Sequence, residues 1–406
     1  STIIKTYIQS LQSNPTSFEK TQPIINAILT ASKKPETAYS LLQEASKHFP
    51  SGNPPQEKGK SDSNADNQQQ SEKEELRILT FCNVCKACVA ECSKLEIELT
   101  QITPFLLELS SLPLSNNLDI RVSSFETYYG FIGVEPQTPI ADVVGLKLSP
   151  AQLKSEVIQL FSLVSTKIDI IQCSQIVETI NKEKEVSYPH TIFLRSLLSS
   201  RSDYLERPTT KDALTKIIQN HKNFTKNGEI ELEKGLMKLA LVDMGKLVPI
   251  IMDVSPKSAY RNHILLALLT SAQHRELFLD QYHELLVQCD MRSPDTMRYF
   301  AILPQIIDTE ESADMSALTF GTMVAEIIML IAYAFSNSGS KEFGKSIVKQ
   351  ATENITNCLE KLFTKTQLEK KAKYQVNLND ISSVSDTIRK IAKIVTTLEV
   401  EKIQVL

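Results

Sequence analysis

Cys82, Cys85, Cys88 and Cys92 are the residues whose type and spacing come nearest to metal chemistry. Thiolates spaced C-x2-C-x2-C-x3-C can wrap a [4Fe–4S] cluster, and four such thiols also suit Zn2+ or Cu(I), provided the backbone curls around the metal. A second candidate is Gly339-Ser-Lys-Glu-Phe-Gly-Lys-Ser346, which fits G-x-x-x-x-G-K-[ST]. In a phosphate loop, Gly339 and Gly344 would let backbone amides cradle phosphates, Lys345 would reach the terminal phosphates and Ser346 would hold Mg2+. A third lies in His274-Arg-Glu-Leu-Phe-Leu-Asp280-Gln-Tyr-His283-Glu284, where Asp280 and His283 share a helix face. His283-Glu284 opens like a zinc-protease helix, but Val287 stands where the second histidine is needed. The chain has no Gly-x-Ser-x-Gly elbow, and no catalytic residue is assigned.

Each pattern has a plainer reading. Over its eleven residues the cysteine run resembles the bacterial ferredoxin motif, with Ser93 where that motif carries proline. Its flanks, Glu74-Glu-Leu-Arg-Ile-Leu-Thr-Phe and Ser93-Lys-Leu-Glu-Ile-Glu-Leu, have helical composition. At 100° per residue the four thiols then fall on one face with Leu95 and Leu99, and cysteine acts as a small buried hydrophobe in such a stripe. The stripe is the preferred reading, with metal or redox chemistry at these thiols as the alternative. Gly339 likewise reads as the cap of one helix, with Ser340 starting the next, because Lys341, Glu342 and the bulky Phe343 occupy the intervening loop positions. Nucleotide binding at Gly339–Ser346 is kept as a second alternative. Residues 317–336 are apolar enough to suggest a membrane span, yet Glu326 sits near their middle, where a carboxylate is costly. A buried central helix is expected instead.

These residues need elements to position them. The 406-residue chain is 42% hydrophobic and 23% charged, with few glycines and no tryptophan, a mix that favours helix. A net charge of −4 argues against binding nucleic acid by counterion release. Seven cysteines behind an opening Ser1-Thr-Ile-Ile-Lys, without an apolar leader, suggest a reducing cytoplasmic compartment. Apolar periodicity predicts short helices at 2–12, 17–32 and 36–48. A polar stretch at 52–74 is expected to be a disordered linker tethering the N-terminal piece, residues 1–51. A long cysteine-bearing helix follows, from about Glu72 to Ile102, then a short one from Pro104 to Leu109. Aromatic residues mixed with Gly130, Gly133, Pro136 and Pro139 suggest an irregular or β-hairpin insertion near 113–148, closing a region that runs from 75.

Helices are predicted near 150–168, 173–183, 188–200, 209–221, 229–244, 256–272, 274–290 and 294–307, so 149–308 reads as helical pairs. Ile192-Phe-Leu-Arg-Ser-Leu-Leu198 faintly echoes Ile264-Leu-Leu-Ala-Leu-Leu-Thr270. The remainder, 309–406, reads as a C-terminal helical bundle built on two long helices within 313–363. Ile381, Val384, Ile388, Ile391, Val395 and Leu398 form a short heptad seam, a closing helix or a dimerisation surface. The expectation is an all-α protein, a multi-helix bundle or an α-solenoid of HEAT, armadillo or TPR-like pairs. Its expected work is that of a non-enzymatic scaffold, adaptor or regulator whose partner is another protein, with no cofactor, nucleic acid or membrane span.

Overall fold

The computed structural model describes residues 2–48, 64–92, 103–145, 147–255 and 257–288. The predicted helices beyond residue 288, the Gly339–Ser346 loop, the 317–336 run and the 381–398 seam lie outside the described residues. Among the described residues the fold is all-α, with helix packing of the bundle or solenoid kind. Among the described residues the sole β feature is one isolated bridge between Val186 and Phe224. Among the described residues no helix is long and apolar enough to cross a membrane.

The chain divides into two units: residues 1–210 with 222–235, and 211–221 with 236–406. The first opens with α1 (Thr2–Ser13), α2 (Phe18–Ser32) and α3 (Pro35–His48), followed by α4 (Asn64–Cys92). The reading of 52–74 as linker is corrected at its C-terminal end, because helix begins by Asn64. The tethered N-terminal piece is corrected too, since α2 and α3 pack directly on α4. Asn83 donates to the Thr16 carbonyl at 3.2 Å and Arg77 to the His48 carbonyl at 2.9 Å. Lys86 adds its ammonium 4.5 Å from the centre of the Phe18 ring.

After α5 (Thr103–Leu109) comes the main departure from the sequence reading. The expected irregular or hairpin insertion is helical in its first part, α6 (Leu118–Ile132), and irregular from Gly133 onward around the one-turn α7 (Ile140–Val143). Aromatic and glycine content favoured strand and turn, but local caps and packing decide otherwise. Asn117 accepts from the amides of Asp119 and Ile120 at the start of α6. Gly133 ends it at φ 63°, a left-handed cap that glycine adopts without strain. Gly130 sits inside the helix, where a Cβ would lie 2.8 Å from Val89 Cγ1, so its missing side chain sets the approach of α6 to α4.

The helical pairs begin with α8 (Pro150–Lys167), α9 (Ile170–Lys182) and α10 (Tyr188–Ser200). Ser149 with Gln152, and Asp169 with Gln172, form complete capping boxes at the starts of α8 and α9. Tyr128, Phe161 and Phe193 join α6, α8 and α10 through successive tilted ring contacts at 5.3 and 4.7 Å. All three side chains are buried. The first turns of α12 (Lys226–Asp253) complete this unit, and Gly235 lets that helix approach Arg195 and Leu198 of α10.

The second unit holds most of α11 (Pro208–Gln219), the rest of α12, α13 (Ala259–Thr270) and α14 (Ala272–Gln288). Asp243 leaves helical geometry inside α12 at φ −159° and ψ 84°. Its carboxylate accepts from the Lys246 amide at 3.1 Å, capping the segment that resumes. Arg261 of α13 is fully buried and donates to the Ile251 carbonyl at 3.1 Å, serving the C-terminal end of α12. The two halves of the faint sequence echo fall in α10 and α13, and their large apolar residues are buried in both, so the likeness is one of core-facing side chains.

Candidate functional site

The cysteine run lies on a helical backbone up to Cys92, the last described residue of α4. From Cys82 to Cys92 a helix rises about 15 Å, so these ligands are strung along an axis rather than gathered around one ion. Cys82, Cys85 and Cys88 are reduced and fully buried. Burial pushes the Cys82 thiol up to about 12, against a smaller opposing pull from Lys86. Burial also raises the Tyr128 hydroxyl well above its ordinary value, with Cys82 and Cys85 adding to it, and raises Tyr7 to about 12 with help from Cys88. The surroundings of Cys82 therefore favour its neutral thiol over the nucleophilic and metal-binding thiolate. Among the described residues no three His, Cys, Asp or Glu side chains are grouped so as to hold a metal ion.

The histidine stretch falls on α14. His274 is nearly buried, with Nδ1 at 2.7 Å from Ser271 Oγ and Nε2 at 3.0 Å from the Met237 carbonyl. Both ring nitrogens are occupied in tying the start of α14 to α12. The His283 side chain lies outside what is described, and so does the loop of Gly339, Gly344, Lys345 and Ser346.

What the structure assembles instead was not visible as a motif. Glu231, with 2% of its side chain exposed, receives Lys154 on one carboxylate oxygen and Arg195 on the other. Lys234, one turn on, reaches the same carboxylate at 3.4 Å. Burial by itself would raise the Glu231 carboxyl, but the hydrogen bonds and charges of Lys154 and Arg195 outweigh it and hold it below its ordinary value. The Lys154 ammonium also lies 5.8 Å from the centre of the Tyr188 ring. One carboxylate thus ties α8, α10 and α12 together. No sequence signal marks it, because its partners stand 77 and 36 positions away.

The outer face of the same helices is of a different character. Leu163 near the end of α8 and Ile170 and Ile171 at the start of α9 are exposed by 41%, 40% and 52%. These three large aliphatic side chains, exposed and within nine positions of one another in the chain, are taken as the candidate functional surface of this unit. Scattered exposed leucines are ordinary, whereas exposed apolar side chains close together in the chain suit contact with another molecule. No family model matches the chain, and neither a curated protein nor a solved structure does.

Proposed function

We propose that this chain is a helical scaffold or adaptor that works by binding another protein rather than by catalysis. The observation that supports the reading is the corner of α8 and α9, where Leu163, Ile170 and Ile171 face solvent beside a thoroughly packed interior. The capping boxes at Ser149 and Asp169 fix where each helix starts and hence which residues face outward. An aliphatic patch on rigid helices binds by burying apolar area, with little ordering cost on the scaffold side.

The test is to substitute Leu163, Ile170 and Ile171 together by Asp and compare proteins that copurify with the intact chain and with the variant. Melting temperature controls for folding. Specific loss of a stoichiometric partner, with melting unchanged, supports the reading. An identical set of copurifying proteins removes this surface from consideration.

A further inference from the structure

His190 occupies the third position of α10, beside the connection from α9. Its Nδ1 lies 3.0 Å from the Glu183 carboxylate, and its Nε2 lies 3.0 Å from the Leu107 carbonyl at the end of α5. A carbonyl oxygen accepts only, and so does an ionised carboxylate. A neutral imidazole has one N–H and would leave one of these contacts as two facing lone pairs. His274 shows the contrast: one of its neighbours is the Ser271 hydroxyl, which can donate, so a single ring N–H satisfies both contacts there.

The Leu107 carbonyl is an unusually rich acceptor. It also receives the Ser110 amide at 3.1 Å and the Ser110 hydroxyl at 2.6 Å, and it lies in the last turn of α5, where the backbone carries partial negative charge. We infer that His190 is a proton-operated clasp, an imidazolium that donates from both nitrogens and pins the end of α5 to the α9–α10 connection. Losing the ring proton releases one side of the clasp.

The titratable groups on the neighbouring elements are Glu108 on α5, Lys182 on α9, Glu183, Lys184 and Glu185 in the connection, and Tyr188 with Lys154 near it on α10 and α8. Of these, Glu183 is the one whose charge acts on the ring. Burial opposes the charge, as does the amino-terminal end of α10, but the Glu183 and Leu107 contacts outweigh burial and raise the histidine above its ordinary 6.5. A raised value in the folded state means that the clasp is complete below about pH 6.5 and is lost as pH climbs through the folded value. The rest of α5 is held independently, by the Tyr128 hydroxyl on the Leu106 carbonyl at 2.6 Å and by the edge contact of Tyr39 with Phe105. Release is therefore expected to loosen the end of α5 without unfolding the unit.

Two measurements on the full chain decide the matter. Proton–nitrogen correlation spectra of 15N-histidine-labelled protein, with the His190 signals identified from His190→Gln, should show both ring nitrogens protonated at pH 6 and the ring proton lost at a pH above the ordinary 6.5. Glu183→Gln should move that titration downward by about one pH unit or more. Amide hydrogen exchange of residues 107–110, corrected for its intrinsic pH dependence, should lose about tenfold in protection between pH 6 and pH 9. That loss should disappear in His190→Gln. If His190→Gln does not fold, Glu183→Gln serves both measurements, since it should shift the loss of protection to lower pH. A single neutral tautomer for His190 at pH 6, a ring titration at or below 6.5, or wild-type protection that does not change with pH, overturns the proposal.

Discussion

The junction of α4 with α6 and the junction of α8, α10 and α12 solve the same problem in opposite ways. The first closes mainly by shape: small thiols along α4 and a glycine in α6 let two helix surfaces meet, with the Lys86–Glu126 ion pair at 2.9 Å alongside them. The second closes by charge: one buried carboxylate gathers cations from two other helices. Shape complementarity tolerates little change in volume, whereas a charged tie tolerates changes in volume better than loss of a partner. The comparison also separates what a sequence reveals. Apolar stripes appear as periodicity within one helix, but a long-range ion cluster leaves no local trace.

The largest expected effect comes from Phe161, which stands between the two regions in contact with both Tyr128 and Phe193. Phe161→Ala should cost about 4 kcal/mol in urea unfolding, since a fully buried ring leaves a cavity that rigid helices fill poorly. A loss below about 1 kcal/mol would mean that the two regions are not joined through this ring.

Next is Glu231→Ala, expected to cost about 3 kcal/mol because Lys154 and Arg195 are left mostly buried without their carboxylate. The carboxyl is held below its ordinary value of 4.5, so the tie contributes fully above that pH and is lost as pH falls through the folded value. Wild-type stability measured against pH should therefore decline on the acid side more steeply than that of Glu231→Gln. Parallel curves would show that the tie is not electrostatic.

Gly130→Ala tests the shape-closed junction. The added methyl meets Val89 Cγ1 at 2.8 Å, and a cost of about 1–2 kcal/mol is expected despite the better helix propensity of alanine. Combining it with Val89→Ala should recover part of the loss, and strict additivity in the double-mutant cycle would rule out contact as the cause. The smallest effect concerns reactivity. Cys82 and Cys173, both raised to about 12 by burial, should resist alkylation at pH 8 in the native chain and react readily in urea, as mapped by mass spectrometry. Rapid native labelling at Cys82 would show the shape-closed junction opening.

Much of the fold was legible because its helices carry their own start signals and apolar periods. The helix predicted at 188–200 is found at Tyr188–Ser200, and the one at 150–168 at Pro150–Lys167. Ser187, Ser149 and the prolines after them mark those starts in the sequence itself. The sequence of α6 points away from helix because Tyr128, Tyr129 and Phe131 beside Gly130 and Gly133 have the composition of strand and turn. Only the tertiary neighbour Val89 explains an interior glycine there. Apolar periodicity stops α12 at 244, but the helix continues to Asp253, because the Asp243 side chain caps a second segment after the break. Cys82, Cys85 and Cys88 lie buried on a helix as their spacing suggests, whereas Glu231 and His190 meet partners up to 83 positions away, beyond any local pattern.

The paired capping boxes at Ser149 and Asp169 carry a further consequence. Each helix has its first turn specified by residues within four positions, so neither can slide along its axis to accommodate a neighbour. An added residue in the short loop between them would have to be absorbed by Ile168 alone, rotating nothing else. The starts of both helices of this hairpin are thus written into two tetrapeptides, Ser149–Gln152 and Asp169–Gln172.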